Sequence, residues 1–147
     1  MLNIILAVRE EYGLGKRLSA VLDPSDLNLI ENYQTENSVY FVALAAERVI
    51  GGAGISPLTG VNEFICELQR MYLRPEFRGQ GIGRDLLERC IGSANAFGYR
   101  GCYVETIHEM TDAIVLYGTR GFRRLDGPLG RTEHPHNDYW MYLDLRD

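Results

Sequence analysis

The stretch "RGQGIG", residues 78–83, constrains this chain more than any other. Three glycines in six residues leave little side chain to pack. Yet an amphipathic helical pattern, Leu86, Leu87, Cys90 and Ile91, begins at once. Just before it, "VNEFICELQRMYLRP" (61–75) reads as a strand that stops at Pro75. A loop between a strand and a helix N-terminus presents backbone N–H groups, and the helix dipole favours an anion there. Glycines let the backbone reach phosphate oxygens with no Cβ in the way. Arg78 adds a charge-assisted donor and Arg84 can add a second. No Gly-Lys-Ser/Thr follows, so this is not a P-loop. The GxGxxG order of a dinucleotide fingerprint is absent too. A phosphate-bearing ligand is the expectation. A glycine-rich turn that merely joins two elements is the plain alternative.

The remaining pattern supplies alternating elements. Residues 2–14 carry apolar side chains at near-helical spacing, with Gly13 and Gly15 to end a helix. "NIILAV" alone also suits a buried strand. "DPSDLNLIENY" (23–33) reads as a second short helix, with Pro24 early and Ser25 or Asp26 as cap. "SVYFVALA" (38–45) reads as a strand, and "VIGGAGISPL" (49–58) as its hairpin partner, loosened by Gly51, Gly52 and Gly54. A long helix over 79–97 closes at Gly98, a strand covers 102–107, and a helix covers 110–121. "FRRLDG" and "DYWMYLDL" are the last two strands. The fold class is therefore α/β of the α+β type, with helices flanking one mainly antiparallel sheet.

At 147 residues the chain fits one domain spanning 1–147. No apolar run approaches the ~20 residues of a membrane span, and the N-terminus does not read as a signal peptide. Cys66, Cys90 and Cys102 sit inside apolar patterns, as reduced core thiols of a cytoplasmic protein do. The net charge of −5 argues against a nucleic-acid partner and is compatible with a cationic substrate. No Cys/His spacing suggests zinc, and no metal is expected.

The motifs resemble the GNAT N-acetyltransferase superfamily. Arg78-Gly79-Gln80-Gly81-Ile82-Gly83 matches its Arg/Gln-x-x-Gly-x-Gly/Ala pyrophosphate motif, and "AIVLYGTRGF" (113–122) matches a second stretch, Ala-x-x-Leu-Tyr-x-x-x-Gly-Phe. The two lie in order with a strand between them, and the resemblance covers roughly residues 38–145. It implies that backbone amides from Gly79 through Arg84 grip the pyrophosphate of acetyl-CoA, the acyl donor. It implies a sheet whose middle strands splay at a bulge, with Met71, Tyr72 and Leu73 offering backbone to the pantetheine arm. It implies N-acetylation of an amine. The short chain favours a small molecule or amino acid. A protein N-terminus or lysine is the alternative, and a non-catalytic acyl-CoA sensor is a third reading.

Amide formation needs a neutral amine, a polarised carbonyl and a proton for the leaving thiolate. By resemblance, Tyr117 is the general acid, and the backbone N–H of Met71 or Tyr72 polarises the carbonyl. By the same resemblance Glu67 is the candidate base: it lies eleven residues before Arg78, the spacing of a catalytic glutamate in the family's histone acetyltransferase branch. Strand alternation places it on one face with Gln69 and Met71. A structural carboxylate paired with Arg70 is the competing role. Glu105, on the next strand, is a second acidic candidate for the substrate pocket. In "RTEHPHNDYWMYLDL" (131–145), His134 is a candidate pocket residue with an unperturbed pKa near ~6.5, whereas His136 reads as part of a solvated turn. The sequence departs from the family at Met110, where an asparagine often contacts CoA. It also lacks a clear first strand. If that strand is missing, the exposed sheet edge suits a homodimer partner.

Overall fold

The computed structural model describes residues 33, 35–46, 48–132 and 134–146. The helix expected over 2–14 and all of the 23–33 helix except Tyr33 lie outside the described residues. The described chain contains six strands in one sheet. They are β1 (Val39–Ala45), β2 (Arg48–Pro57), β3 (Ile65–Leu73), β4 (Gly101–Thr106), β5 (Arg123–Leu125) and β6 (Tyr139–Asp144). Helix α1 (Ile82–Phe97) connects β3 to β4, and α2 (Thr111–Arg120) connects β4 to β5. The sheet order is β1-β2-β3-β4-β6-β5. Only β3 and β4 run parallel, as a strand pair joined by a crossover helix must. The element order matches the sequence expectation over the described residues. No helix among them is long and apolar enough to cross a membrane.

Helix α1 forms because its apolar residues make one stripe. Leu86, Leu87, Cys90, Ile91 and Ala94 are its buried residues. They pack on Ala53, Ile55, Cys66, Leu68 and Val104 of the sheet, with Tyr117 and Phe122 completing the core. Strand alternation sends every second side chain to the other face. Tyr103 and Tyr142 join Leu58 and Ile65 there in a second cluster, while Cys102, Val104, Met141 and Leu143 stay with the first. The three cysteines are buried free thiols.

The glycines of β2 do not loosen it. The strand is ten residues long and paired on both sides. A Cβ on Gly54 would lie 2.5 Å from Tyr40 Cδ2, and one on Gly51 2.5 Å from the Tyr72 carbonyl oxygen. These glycines admit close neighbours, which is the packing use of glycine in a strand.

Two irregularities open the sheet at its centre. The β3–β4 register covers three pairs, Ile65↔Gly101, Cys66↔Cys102 and Glu67↔Tyr103, and then ends. Beyond Glu67, β3 continues along β2, whereas β4 stays paired with β6 to Thr106. On its β2 side, β3 carries a bulge between the pairs Gly52↔Tyr72 and Gly54↔Gln69. Arg70 sits in that bulge at φ +49°, a left-handed conformation that costs a non-glycine residue energy. The Tyr40 hydroxyl donates to the Arg70 carbonyl at 2.7 Å and holds it there.

Candidate active site

The glycine loop leaves β3 through a single 3₁₀ turn, Pro75–Phe77. Arg78 Nε donates back to the Leu73 carbonyl at 3.0 Å, which ties the loop to the end of the strand. Gly79 and Gly81 both have positive φ, +77° and +87°. A Cβ on either would meet nothing within 4 Å, so the space beside them is open. Gly81 is the N-cap of α1, with no side-chain hydrogen bond closing the helix. Asp85 makes the first intrahelical bond, to the Gly81 carbonyl at 3.0 Å. The amides before it face the loop, as the first donors of any helix do.

A cavity of about 430 Å³ lies against this loop, lined by Met71, Tyr72, Leu73, Arg78, Gly79, Gly81, Gly83 and Arg84. These are eight of the ten residues that the resemblance assigns to CoA. The side chains of the other two serve the fold. Gln80 Nε2 lies 3.5 Å from the Glu76 carbonyl, and Ile82 packs against the core. On the far side stands α2. Its N-cap is Met110, which makes no side-chain capping bond.

A smaller cavity of about 110 Å³ lies between the diverging halves of β3 and β4. The two cavities share Met71, Tyr72, Met110 and Tyr117. Tyr117 is buried, and its hydroxyl donates to Met71 Sδ at 3.8 Å. Burial raises its pKa well above the usual phenol range, so the proton stays on the oxygen.

Glu67, Glu105 and His134 meet in the smaller cavity, their ligand-type atoms within 4.8 Å of one another. The sequence leaves these three unconnected, and the fold brings them together. Glu67 is buried, 7% exposed, and burial is the main reason its pKa rises to about 7. Donation from Gln69 opposes that rise and Glu105 adds to it. The Glu105 carboxyl is 3% exposed. It accepts from the Tyr103 hydroxyl at 2.8 Å, from the Thr132 hydroxyl, and from Asn137 Nδ2 at 3.3 Å. His134 Nδ1 stands 3.7 Å from Glu105 Oε1. Two carboxylates and an imidazole are metal-ligand types, and they suit an ammonium ion equally. Both carboxylates also accept from protein donors.

His136 lies in the turn expected for it before the last strand, but it is not fully solvated. It is half-buried and lines the same cavity, its ring 6.2 Å from that of His134. The bulge at Arg70 also interrupts the alternation that was expected to carry from Glu67 to Met71. Gln69 lines the cavity with no role foreseen for it, and so does Arg70, which was considered only as a structural partner of Glu67. Gln69 Nε2 donates to Glu67 Oε2 at 2.8 Å, and Arg70 Nη1 donates to Tyr33 and to Gln69. The pairing of Gln69 with Glu67 at i, i+2 was available from alternation; the Tyr33 contact was not.

The acetyltransferase (GNAT) domain family matches residues 36–124. The uncharacterized N-acetyltransferase YjgM of Escherichia coli K12 is 39% identical over 144 residues, covering 97% of this chain and 86% of its own length. A GNAT-family acetyltransferase from Staphylococcus aureus Mu50 shares the fold, with a TM-score of 0.83 at 21% identity over 98% of this chain and 90% of its own. YncA of Salmonella typhimurium, solved with its cofactor acetyl-CoA, superposes at a TM-score of 0.70 and 22% identity, over 100% of this chain and 91% of its own. With the splayed sheet and the glycine loop between β3 and α1 already in view, these matches show that the chain belongs to the GNAT family and is an N-acetyltransferase.

Proposed function

We propose that this enzyme transfers an acetyl group from acetyl-CoA to the primary amine of a small molecule or amino acid. The observation that carries the reading is the meeting of the two cavities at Tyr117, one bounded by an uncapped glycine loop and the other by two buried carboxylates. The residues present fit the donor. The open space at Gly79 and Gly81, the α1 amides, Arg78 and Arg84 suit a pyrophosphate, and backbone at Met71, Tyr72 and Leu73 borders the path inward. When bound, acetyl-CoA supplies the acetyl group as a thioester.

The chain's own residues then divide the work. An ammonium ion is held between Glu67 and Glu105. Glu105, its carboxyl fixed by three protein donors, faces the charge. Glu67, with a pKa of about 7, exchanges a proton readily at neutral pH and takes the one that the amine must lose. Tyr117 holds a proton on its hydroxyl at the junction of the cavities, the place for a general acid. A backbone N–H of Met71 or Tyr72 is the donor to the polarised carbonyl. No metal is needed for these steps. A cavity of 110 Å³ suits a small acceptor better than an extended peptide. Buried reduced thiols suit the cytoplasm. Val42 and Leu44, exposed on β1 at one end of the described sheet, suit a homodimer face.

The test is a calorimetric titration with acetyl-CoA, with NADH as control, followed by a thiol-release screen across amines, amino acids and peptides. Saturable binding of acetyl-CoA alone and turnover with small amines support the reading. Turnover with peptides only would move the acceptor to a protein amine. Binding without any turnover would make the chain a sensor.

A further inference from the structure

Glu67 is held by a chain of hydrogen bonds whose direction is set at one end. Arg70 Nη1 lies 2.8 Å from the Tyr33 hydroxyl and 3.2 Å from Gln69 Oε1. A guanidinium only donates. Tyr33 therefore accepts from Arg70 and turns its own proton to Gln69 Oε1, 2.7 Å away. The Ser56 hydroxyl, 3.1 Å away, donates to the same oxygen. Flipping the Gln69 amide would set its NH₂ against the guanidinium, so the amide has one orientation. In that orientation Nε2 faces Glu67 Oε2 at 2.8 Å as a donor. The chain runs Arg70, Tyr33, Gln69, Glu67, and a carboxylate oxygen that accepts is its only consistent end.

We propose that Gln69 is a positioning residue: its Nε2 donor turns the Glu67 carboxylate toward the acceptor cavity and favours the proton-accepting form. The proposal rests on the reading of Glu67 as the base. The left-handed bulge at Arg70 is part of the device, because it brings one residue's guanidinium back over its own neighbour's side chain. Among the described residues, the other titratable groups facing Glu67 are Glu105, Tyr103 and Cys102 from β4, His134 from the loop before β6, Arg70 from β3 itself, and Tyr33. Tyr33 and Arg70 lose a partner in Gln69→Met and keep one in Gln69→Glu, which is why both variants are compared.

The experiment compares wild type with Gln69→Met and Gln69→Glu. Gln69→Met removes the donor. Gln69→Glu keeps an acceptor for Tyr33, Ser56 and Arg70 and replaces only the group that faces Glu67. The Glu67 carboxyl is titrated by carbon NMR of protein labelled at glutamate Cδ, assigned with Glu67→Gln. Its midpoint is expected to rise by about one pH unit or more in Gln69→Met, and further in Gln69→Glu. The acid limb of kcat/KM should move with it, while KM for acetyl-CoA holds. An unchanged Glu67 midpoint in Gln69→Met overturns the proposal. If that variant does not fold, an unchanged midpoint in Gln69→Glu does so. Wild-type kcat/KM in Glu67→Gln would instead remove Glu67 as the base, and the NMR midpoints would still decide whether Gln69 governs its carboxyl.

Discussion

At the scale of single residues, the proposed reaction assigns its proton chemistry to the phenol of Tyr117 and the carboxyl of Glu67, two groups that differ by environment. Burial acts on both in the same direction and leaves one fully protonated and the other balanced near neutrality. Tyr117→Phe should lower turnover ten-fold or more, the low end of what acid–base groups supply. It removes one buried oxygen, so acetyl-CoA affinity measured by calorimetry should hold. Unchanged turnover removes Tyr117 from the chemistry. For Glu67 the sign follows from its raised pKa. The folded form binds the proton more tightly than the unfolded one, so its contribution to stability is full below about pH 4.5 and is lost as pH rises through about 7. The loss is on the order of 3 kcal/mol, at roughly 1.4 kcal/mol per pKa unit. Glu67→Gln should therefore gain in Tm relative to wild type between pH 5 and pH 8 by thermal melts. A gap that stays constant would mean that Glu67 is not raised. Tyr117 was legible because a motif places it. Glu67 was legible as a candidate only, since a structural carboxylate paired with Arg70 fitted the same letters as well. The network that joins Gln69 and Arg70 to Tyr33, and the place of His136 in the cavity lining, were not legible. Nothing in the letters says that an arginine will adopt a left-handed backbone, or that Tyr33 will reach 36 positions along the chain to Gln69.

At the scale of elements, the loop between β3 and α1 was the most legible part of the molecule because its physics is local. Glycine, positive φ and a helix N-terminus lie within six residues. Two variants separate its conformational role from its steric one. Gly81→Ala forces a Cβ into φ +87° but into open space, and should cost about 1 kcal/mol of stability with modest loss of affinity. Gly81→Trp carries the same backbone cost and also fills the cavity, so it should abolish acetyl-CoA binding in a sample that still melts cooperatively. Equal affinities for the two would mean that the loop does not border the donor. The strand glycines teach the opposite lesson. Gly51, Gly52 and Gly54 read as weakness in the sequence, yet they sit where a neighbouring strand or ring comes within 3 Å of a would-be Cβ at two of the three positions. Tight packing and looseness have the same letter, and only the partner strand distinguishes them.

At the scale of the whole molecule, the sheet consists of two halves, β1-β2-β3 and β4-β6-β5, joined by three residue pairs and spanned by α1. Amides of β3 beyond Glu67 that lack a β2 partner should exchange hydrogen faster than those of Ile65–Glu67, and acetyl-CoA should slow them. Uniform protection along β3 without ligand would mean that the halves do not part there. The antiparallel content and the order of elements were readable from alternation and turn residues. The place where the seam ends was not, because it depends on a bulge. That seam has a mechanical meaning. The sheet is a plate with a notch, and stress in a notched plate concentrates at the root. Here the root is the pair Glu67↔Tyr103. When the two halves pivot, displacement grows with distance from the root. The mouth of the notch widens most, where a long ligand must thread in and out, and the carboxylate at the root travels least.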